Sequence, residues 1–439
     1  MTVTMFCRGR AAALLSLLFV ALPAAGATPI PIHSFTGADG AGPVGELLMD
    51  AAGNLYGAAI AGGGTNNGVV FELVKGNSGY TETVLYSFQG AADGAHPSAA
   101  LIMDGAGNLY GTAESGGSGN GGVVFELVKG NGYAETVLYS FQSGTDPTFP
   151  LGALLMDGAG NLYGTTFSGG SPANLGAVYE LVKGGVGYTE QVLYAFQGGA
   201  DGGLPTAALI KDSAGNLYGT AQSGGIATGP NNSGFGTVFE LVKGDGGYTE
   251  TTLYQFLGGA DGSNPNAALI MDGAGNLYGT TAANDSGATG NGTVFELTKS
   301  NGGYAETVLH VFQGPDGAVS QTPLLMDKAG NLYGTTVLGG TANDGTVFEL
   351  QRGSGYGETV LYSFQGGADG ANASSGLVAD SAGTIYGVTF LGGASGDGTA
   401  FELASVISVP PVPALGSAAI ALFAVLLAGF GWRARRRAA

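Results

Sequence analysis

Among the groups able to do chemistry in this 439-residue sequence, carboxylates dominate, and most of them recur. One Asp stands in each of seven similar loop segments: Asp39, Asp93, Asp146, Asp201, Asp261, Asp316 and Asp369. Seven equivalent loop carboxylates could hold Ca²⁺, which takes six to eight oxygens at about 2.3–2.6 Å. One Asp per loop is too few alone, so backbone carbonyls or neighbouring loops would have to contribute. The competing expectation is that Asp beside Gly simply shapes a turn. Just beyond these Asp residues, the position preceding an aligned Pro varies as Gly42, His96, Phe149, Leu204 and Asn264. His96 and Phe149 therefore join the seven Asp residues as a candidate cation- or ligand-binding face.

An active site needs unlike groups in unlike roles, so within a repeat it should show as broken symmetry. The acids mostly keep the symmetry. Besides the loop set, seven Asp precede a Gly-Asn-Leu-Tyr-Gly motif, seven Glu sit in Phe-Glu-Leu, and six Glu precede an aromatic run. Only Glu46, Glu114, Asp245, Asp285, Asp344 and Asp397 fall outside these sets. They read as residues in or beside loops, without a paired carboxylate. His33 and His310 occupy the Tyr slot of a Tyr-Ser-Phe motif, where a ring fills a packing position. The single Cys, Cys7, lies outside the repeats, leaving the body without a thiol for disulfide, metal or nucleophile. No Ser–His–Asp order, phosphate loop or dinucleotide fingerprint is present. The expectation is a protein without catalytic residues.

Six of the 14 basic residues stand at the two ends, leaving 8 in the body against 33 acids. So acidic a body repels phosphate backbones, which excludes nucleic acid as a partner. Only 11% of residues are charged while 44% are hydrophobic, which argues against disorder despite 85 Gly.

The elements that must position these groups come from one unit repeated seven times. The Tyr of the Leu-Tyr-Gly motif, Ile-Tyr-Gly in the last copy, falls at 56, 110, 163, 218, 278, 333 and 386. A period of this size marks a repeat architecture. Each unit carries four short apolar runs separated by Gly-rich turns; the second has Ala99–Met103, Asn108–Thr112, Val123–Val128 and Glu135–Phe141. These read as strands. Four antiparallel strands repeated radially give an all-β, seven-bladed β-propeller, with a β-solenoid as the alternative. Closure favours the propeller. The last unit stops after Phe401-Glu402-Leu403, without its fourth strand, and Ile30–Phe35 supplies the matching strand at the other end.

The flanks read as addresses. Residues 1–27 form a signal peptide: Arg8 and Arg10, an apolar Ala11–Leu22 stretch, and Ala25-Gly26-Ala27 as cleavage site. Residues 28–404 form the propeller and 405–413 a Pro-rich linker. A hydrophobic helix with an Arg-rich end, long enough to span a membrane, occupies 414–439.

The unit Ala329–Thr336 with Gly345–Leu350 and Leu361–Phe364 resembles the GloVer (Gloeobacter–Verrucomicrobia) tandem repeat of choice-of-anchor proteins. The tail resembles the PEP-CTERM and IPTL-CTERM sorting signals, although it reads Pro411-Val412-Pro413-Ala414-Leu415. These resemblances imply a secreted, surface-anchored bacterial protein handled by signal peptidase and an exosortase-type protease. They bring no activity. The function expected is a non-enzymatic binding, adhesion or matrix scaffold meeting extracellular polysaccharide or surface proteins. The alternative is a secreted hydrolase or lyase at the central channel, which inner strands reading Leu-Ile-Met disfavour.

Overall fold

The computed structural model describes residues 28–142, 146–170, 173–225, 234–283, 290–404 and 406–407. The expected signal peptide and C-terminal helix lie outside them. Among the described residues no helix is long and apolar enough to cross a membrane.

The chain folds into seven four-stranded antiparallel sheets, the blades of a propeller. Blade 1 runs from Ala41–Met49 at the axis through Leu55–Ala61 and Val69–Gly76 to Gly79–Ser87 at the rim. Blade 7 is completed by the N-terminal strand. Ile30–Ser34 pairs antiparallel with Thr399–Leu403, outside Ile385–Thr389 and Val378–Ala379. Ring closure thus hydrogen-bonds the two ends of the propeller to each other.

The turn before each second strand explains why Asp-x-x-Gly-Asn recurs. In blade 1 the Asp50 carboxylate accepts the N–H groups of Ala52 and Asn54 at 2.9 and 2.8 Å, and the Asn54 side-chain amide at 2.9 Å. Gly53 then takes φ 84°, a region L side chains avoid. The Leu-Tyr-Gly residues of the following strand, Ile-Tyr-Gly in the last blade, are buried in every blade, covered on both faces as near-continuous apolar runs require.

The core lies between blades. Tyr56, Val70 and Phe88 of blade 1 pack with Leu101, Leu109 and Phe125 of blade 2, and the arrangement repeats around the ring. The Tyr56 hydroxyl points out of this core and donates to Glu72 Oε1 at 2.7 Å.

One element differs from expectation. The innermost run of blade 2 forms ladder pairs only at Ile102–Met103, not over Ala99–Met103, and blades 3 to 7 behave alike. Near the axis, the chain ahead of that pair hydrogen-bonds to the neighbouring blade instead. Thr165 Oγ1 donates to the Ala207 carbonyl at 2.9 Å, and Thr335 Oγ1 to that of Ser375 at 2.8 Å.

Candidate functional site: the axial cavity

These inner segments enclose a cavity of about 870 Å³ to which all seven blades contribute. Alternate residues of an extended chain face one side, so the wall is built in rings. The ring nearest the interblade loops holds Ser98, Thr206, Asn266, Gln321 and Ser374, with Val44 and Leu151 completing it. Two residues further along come Glu46, four alanines (Ala100, Ala153, Ala208, Ala268), Pro323 and Gly376. Ile210, Ile270 and Leu325 belong to an apolar third ring.

Two features distinguish the cavity. The first is unmet hydrogen-bonding capacity: among the described residues, Ser98 Oγ, Thr206 Oγ1, Asn266 Oδ1 and Ser374 Oγ are buried without a hydrogen-bond partner. Such groups are rare in native proteins, because each costs the desolvation of a polar atom. All four belong to residues lining one cavity, where a side-chain rotation would turn them toward a guest. The second is Glu46, the only ionisable residue among the described residues that line the cavity. Burial pushes its carboxyl up to about 7. No Lys, Arg or His pairs with it among the described residues.

Sequence reasoning placed Glu46 in or beside a loop; it stands within the inner strand Ala41–Met49, facing the axis. The reading of the channel as apolar is also corrected. The Leu-Ile-Met residues form its deeper part, and the unlike polar groups come from the four residues before them. The readable signal was the position of Ser98, which changes from blade to blade while its neighbours repeat.

The interblade loops and the loops between second and third strands share one face, joined by isolated bridges such as Ala95 to Ser115 and Ser263 to Ala283. The position before the aligned Pro is left-handed throughout: φ is 60° at His96, 59° at Phe149, 56° at Leu204 and 55° at Asn264. Side chains there are held in a conformation that is uncommon for all but Gly and Asn. His96 Nδ1 lies 2.9 Å from Ser115 Oγ, and Phe149 is 37% exposed.

The seven loop Asp residues do not converge on one another through these contacts; each is engaged locally. Asp93 Oδ2 accepts the Tyr86 hydroxyl at 2.9 Å and the Gln89 N–H at 2.8 Å. Asp146, Asp201, Asp261 and Asp369 repeat this with Tyr139, Tyr194, Tyr254 and Tyr362. Asp39 and Asp316 meet His33 and His310 instead, each at 3.0 Å from Nε2. The two imidazoles also pack edge-on against Phe35 and Phe312, as a ring in a packing slot should. Beside six of these sites a Glu arrives from the next blade's outer strand. Burial, reinforced by the nearby Asp charge, pushes Glu82, Glu135, Glu190, Glu306 and Glu358 up to about 7, and raises Glu250.

A solved structure described as a putative 6-phosphogluconolactonase from Bacteroides uniformis matches over 73% of this chain and 84% of its own. Its identity is 15% and its TM-score 0.47. No curated protein matches. The IPTL-CTERM motif matches residues 410–437, which with the repeats marks a surface-exported protein. The Gloeobacter/Verrucomicrobia repeat matches residues 15–231 and 176–401, most of the sequence, and the chain belongs to that repeat family.

Proposed function

We propose that this exported propeller is a non-enzymatic binding module of the cell surface, taking an uncharged, hydroxyl-rich ligand, such as a saccharide unit, in its axial cavity. The carrying observation is the ring of four buried polar atoms without partners around a cavity of about 870 Å³. A neutral polyol supplies both donors and acceptors to such a ring, and its apolar faces suit the alanine and leucine walls. An anion is disfavoured by Glu46 and by the acidity of the body. The tail would be recognised by an exosortase-type protease and leave the propeller at the envelope surface or released from it.

The test is retention of extracellular polysaccharide fragments by the purified protein, with the mixture assayed for cleavage. Retention without new reducing ends or unsaturated products supports the proposal; cleavage refutes its non-enzymatic part. One observation favours a second reading. A carboxyl near 7 is suited to general-acid work at neutral pH, so Glu46 could serve a polysaccharide hydrolase or lyase. A lone carboxyl lacks the partner that glycoside hydrolysis ordinarily uses, which places this reading second.

A further inference from the structure

Five interblade sites pair the loop Asp with Tyr, and two pair it with His. The substitution is coupled to a second change. His33 and His310 precede their Asp by six residues, whereas the Tyr residues precede theirs by seven. Shortened loop and imidazole therefore occur together, twice, in non-adjacent parts of the ring. In both places the Glu from the next blade completes a group of three. His33, Asp39 and Glu82 offer one ligand atom each within 4.8 Å of one another, and His310, Asp316 and Glu358 do the same. Among the described residues these are the only such groups.

We propose that the two His–Asp–Glu groups are divalent transition-metal sites, of which zinc is the representative ion, and that each clamps two neighbouring blades together. The chemistry of the donors decides the class of ion. One imidazole nitrogen and two carboxylate oxygens leave a fourth tetrahedral position for water, an arrangement zinc accepts. Calcium asks for six to eight oxygens and gains little from an imidazole. The distances are close to what is needed. His Nε2 and Asp Oδ2 already stand 3.0 Å apart, so a small movement of the Glu side chain closes the triangle.

A second observation points into the site. Like the Oε1 atoms of Glu135, Glu190 and Glu306 beside Tyr–Asp pairs, Oε1 of Glu82 and Oε1 of Glu358 are buried and lack any hydrogen-bond partner among the described residues. Each is an acceptor with nothing to accept from, set beside a His–Asp pair, and a cation satisfies it. The five Tyr copies cannot do this, because a phenol that keeps its proton is a donor rather than a ligand.

Position gives the sites a role. His33 belongs to the N-terminal strand that completes blade 7, while Glu82 sits on the outer strand of blade 1. The first site therefore bridges the closure seam. The second joins the outer strand of blade 5, Gly303–Val311, to that of blade 6, Gly357–Ser363.

The experiment is a zinc titration of the purified, tag-free protein by calorimetry after chelator treatment, with magnesium and calcium titrated in parallel. The expected result is two zinc ions per chain and a raised melting temperature, with no comparable response to magnesium or calcium. Because Glu82 Oε1 and Glu358 Oε1 make no hydrogen bond, Glu82→Gln and Glu358→Gln remove no contact of theirs and should fold. Each variant alone should bind one ion, and the double variant none, with an unchanged circular dichroism spectrum. Absence of zinc binding by the wild type would overturn the proposal and leave the imidazoles as donors to Asp. So would a double variant that still binds two ions.

Discussion

Glu46 lies against Gly376 across the seam between blades 1 and 7: a Cβ at position 376 would stand 3.3 Å from the Glu46 carboxyl oxygen Oε2. The equivalent slot holds Ala or Pro in the other blades, so the one blade with no side chain there adjoins the one with a carboxyl. The acid is seated by the absence of its neighbour's side chain.

That seating makes Glu46 costly to ionise. Its folded pKa, about 7, is above the ordinary 4.5, so stability is full below about 4.5 and falls as pH rises through 7. Glu46→Gln should therefore stabilise by about 2 kcal/mol at pH 8 and by little at pH 4. Denaturant unfolding at the two pH values reads the difference; an equal effect at both would contradict a buried, unpaired carboxyl.

The same sign holds for the interblade glutamates. Glu82, Glu135, Glu190, Glu306 and Glu358 are all raised to about 7, so their contribution also declines between pH 4.5 and 7. The turn aspartates act at the other end. Burial would raise Asp50, Asp104, Asp157, Asp212 and Asp272, but hydrogen bonds from the following Ala and Asn together outweigh it and hold them low. Their contribution is present above 3.8 and lost as pH falls below it. The melting temperature should peak near pH 4–5 and decline toward pH 8; a scan that rises over that interval would contradict the assignment.

Tyr179 breaks the repeat by standing where the other blades have Phe, and its buried hydroxyl has no partner among the described residues. Tyr179→Phe should stabilise the protein by about 1 kcal/mol or more, since it removes an unsatisfied polar atom at little change in shape. A loss of stability in thermal or denaturant unfolding would mean the hydroxyl has a partner.

The glycine of Leu-Tyr-Gly is set by packing rather than by its dihedral angles. At Gly111 a Cβ would come 2.6 Å from Phe125 Cζ and 2.9 Å from Leu101 Cδ2. Gly111→Ala should cost about 1–3 kcal/mol through overpacking, measured by denaturant unfolding. A neutral effect would show that the interblade core yields more readily than its burial implies.

The blade count, the closure and the Gly-rich turns were legible in the sequence because they rest on local, repeated pattern. The Ile30–Phe35 strand was readable as the missing fourth strand since a complementary deficit stood at the other end. The cavity was not readable to the same degree. Which residues face the axis depends on where the inner chain leaves its ladder, and Ser98, Thr206 and Asn266 lie just before that point. The His–Asp–Glu groups were hidden for another reason. His33 and Asp39 are close in sequence, but Glu82 reaches them only because one blade's rim meets its neighbour's loop. Local pattern reports nothing of that contact.

The central claim is that the partnerless polar atoms of the cavity exist for a ligand. The most direct measurement replaces two of them by near-isosteric apolar groups, Thr206→Val with Ser374→Ala, and compares stability with binding of neutral oligosaccharides by titration calorimetry. The account predicts opposite movements: stability unchanged or raised, because buried unsatisfied hydroxyls are removed, and affinity lowered by about tenfold or more. Unchanged affinity in a stably folded variant, or no binding by the wild-type protein, would contradict it.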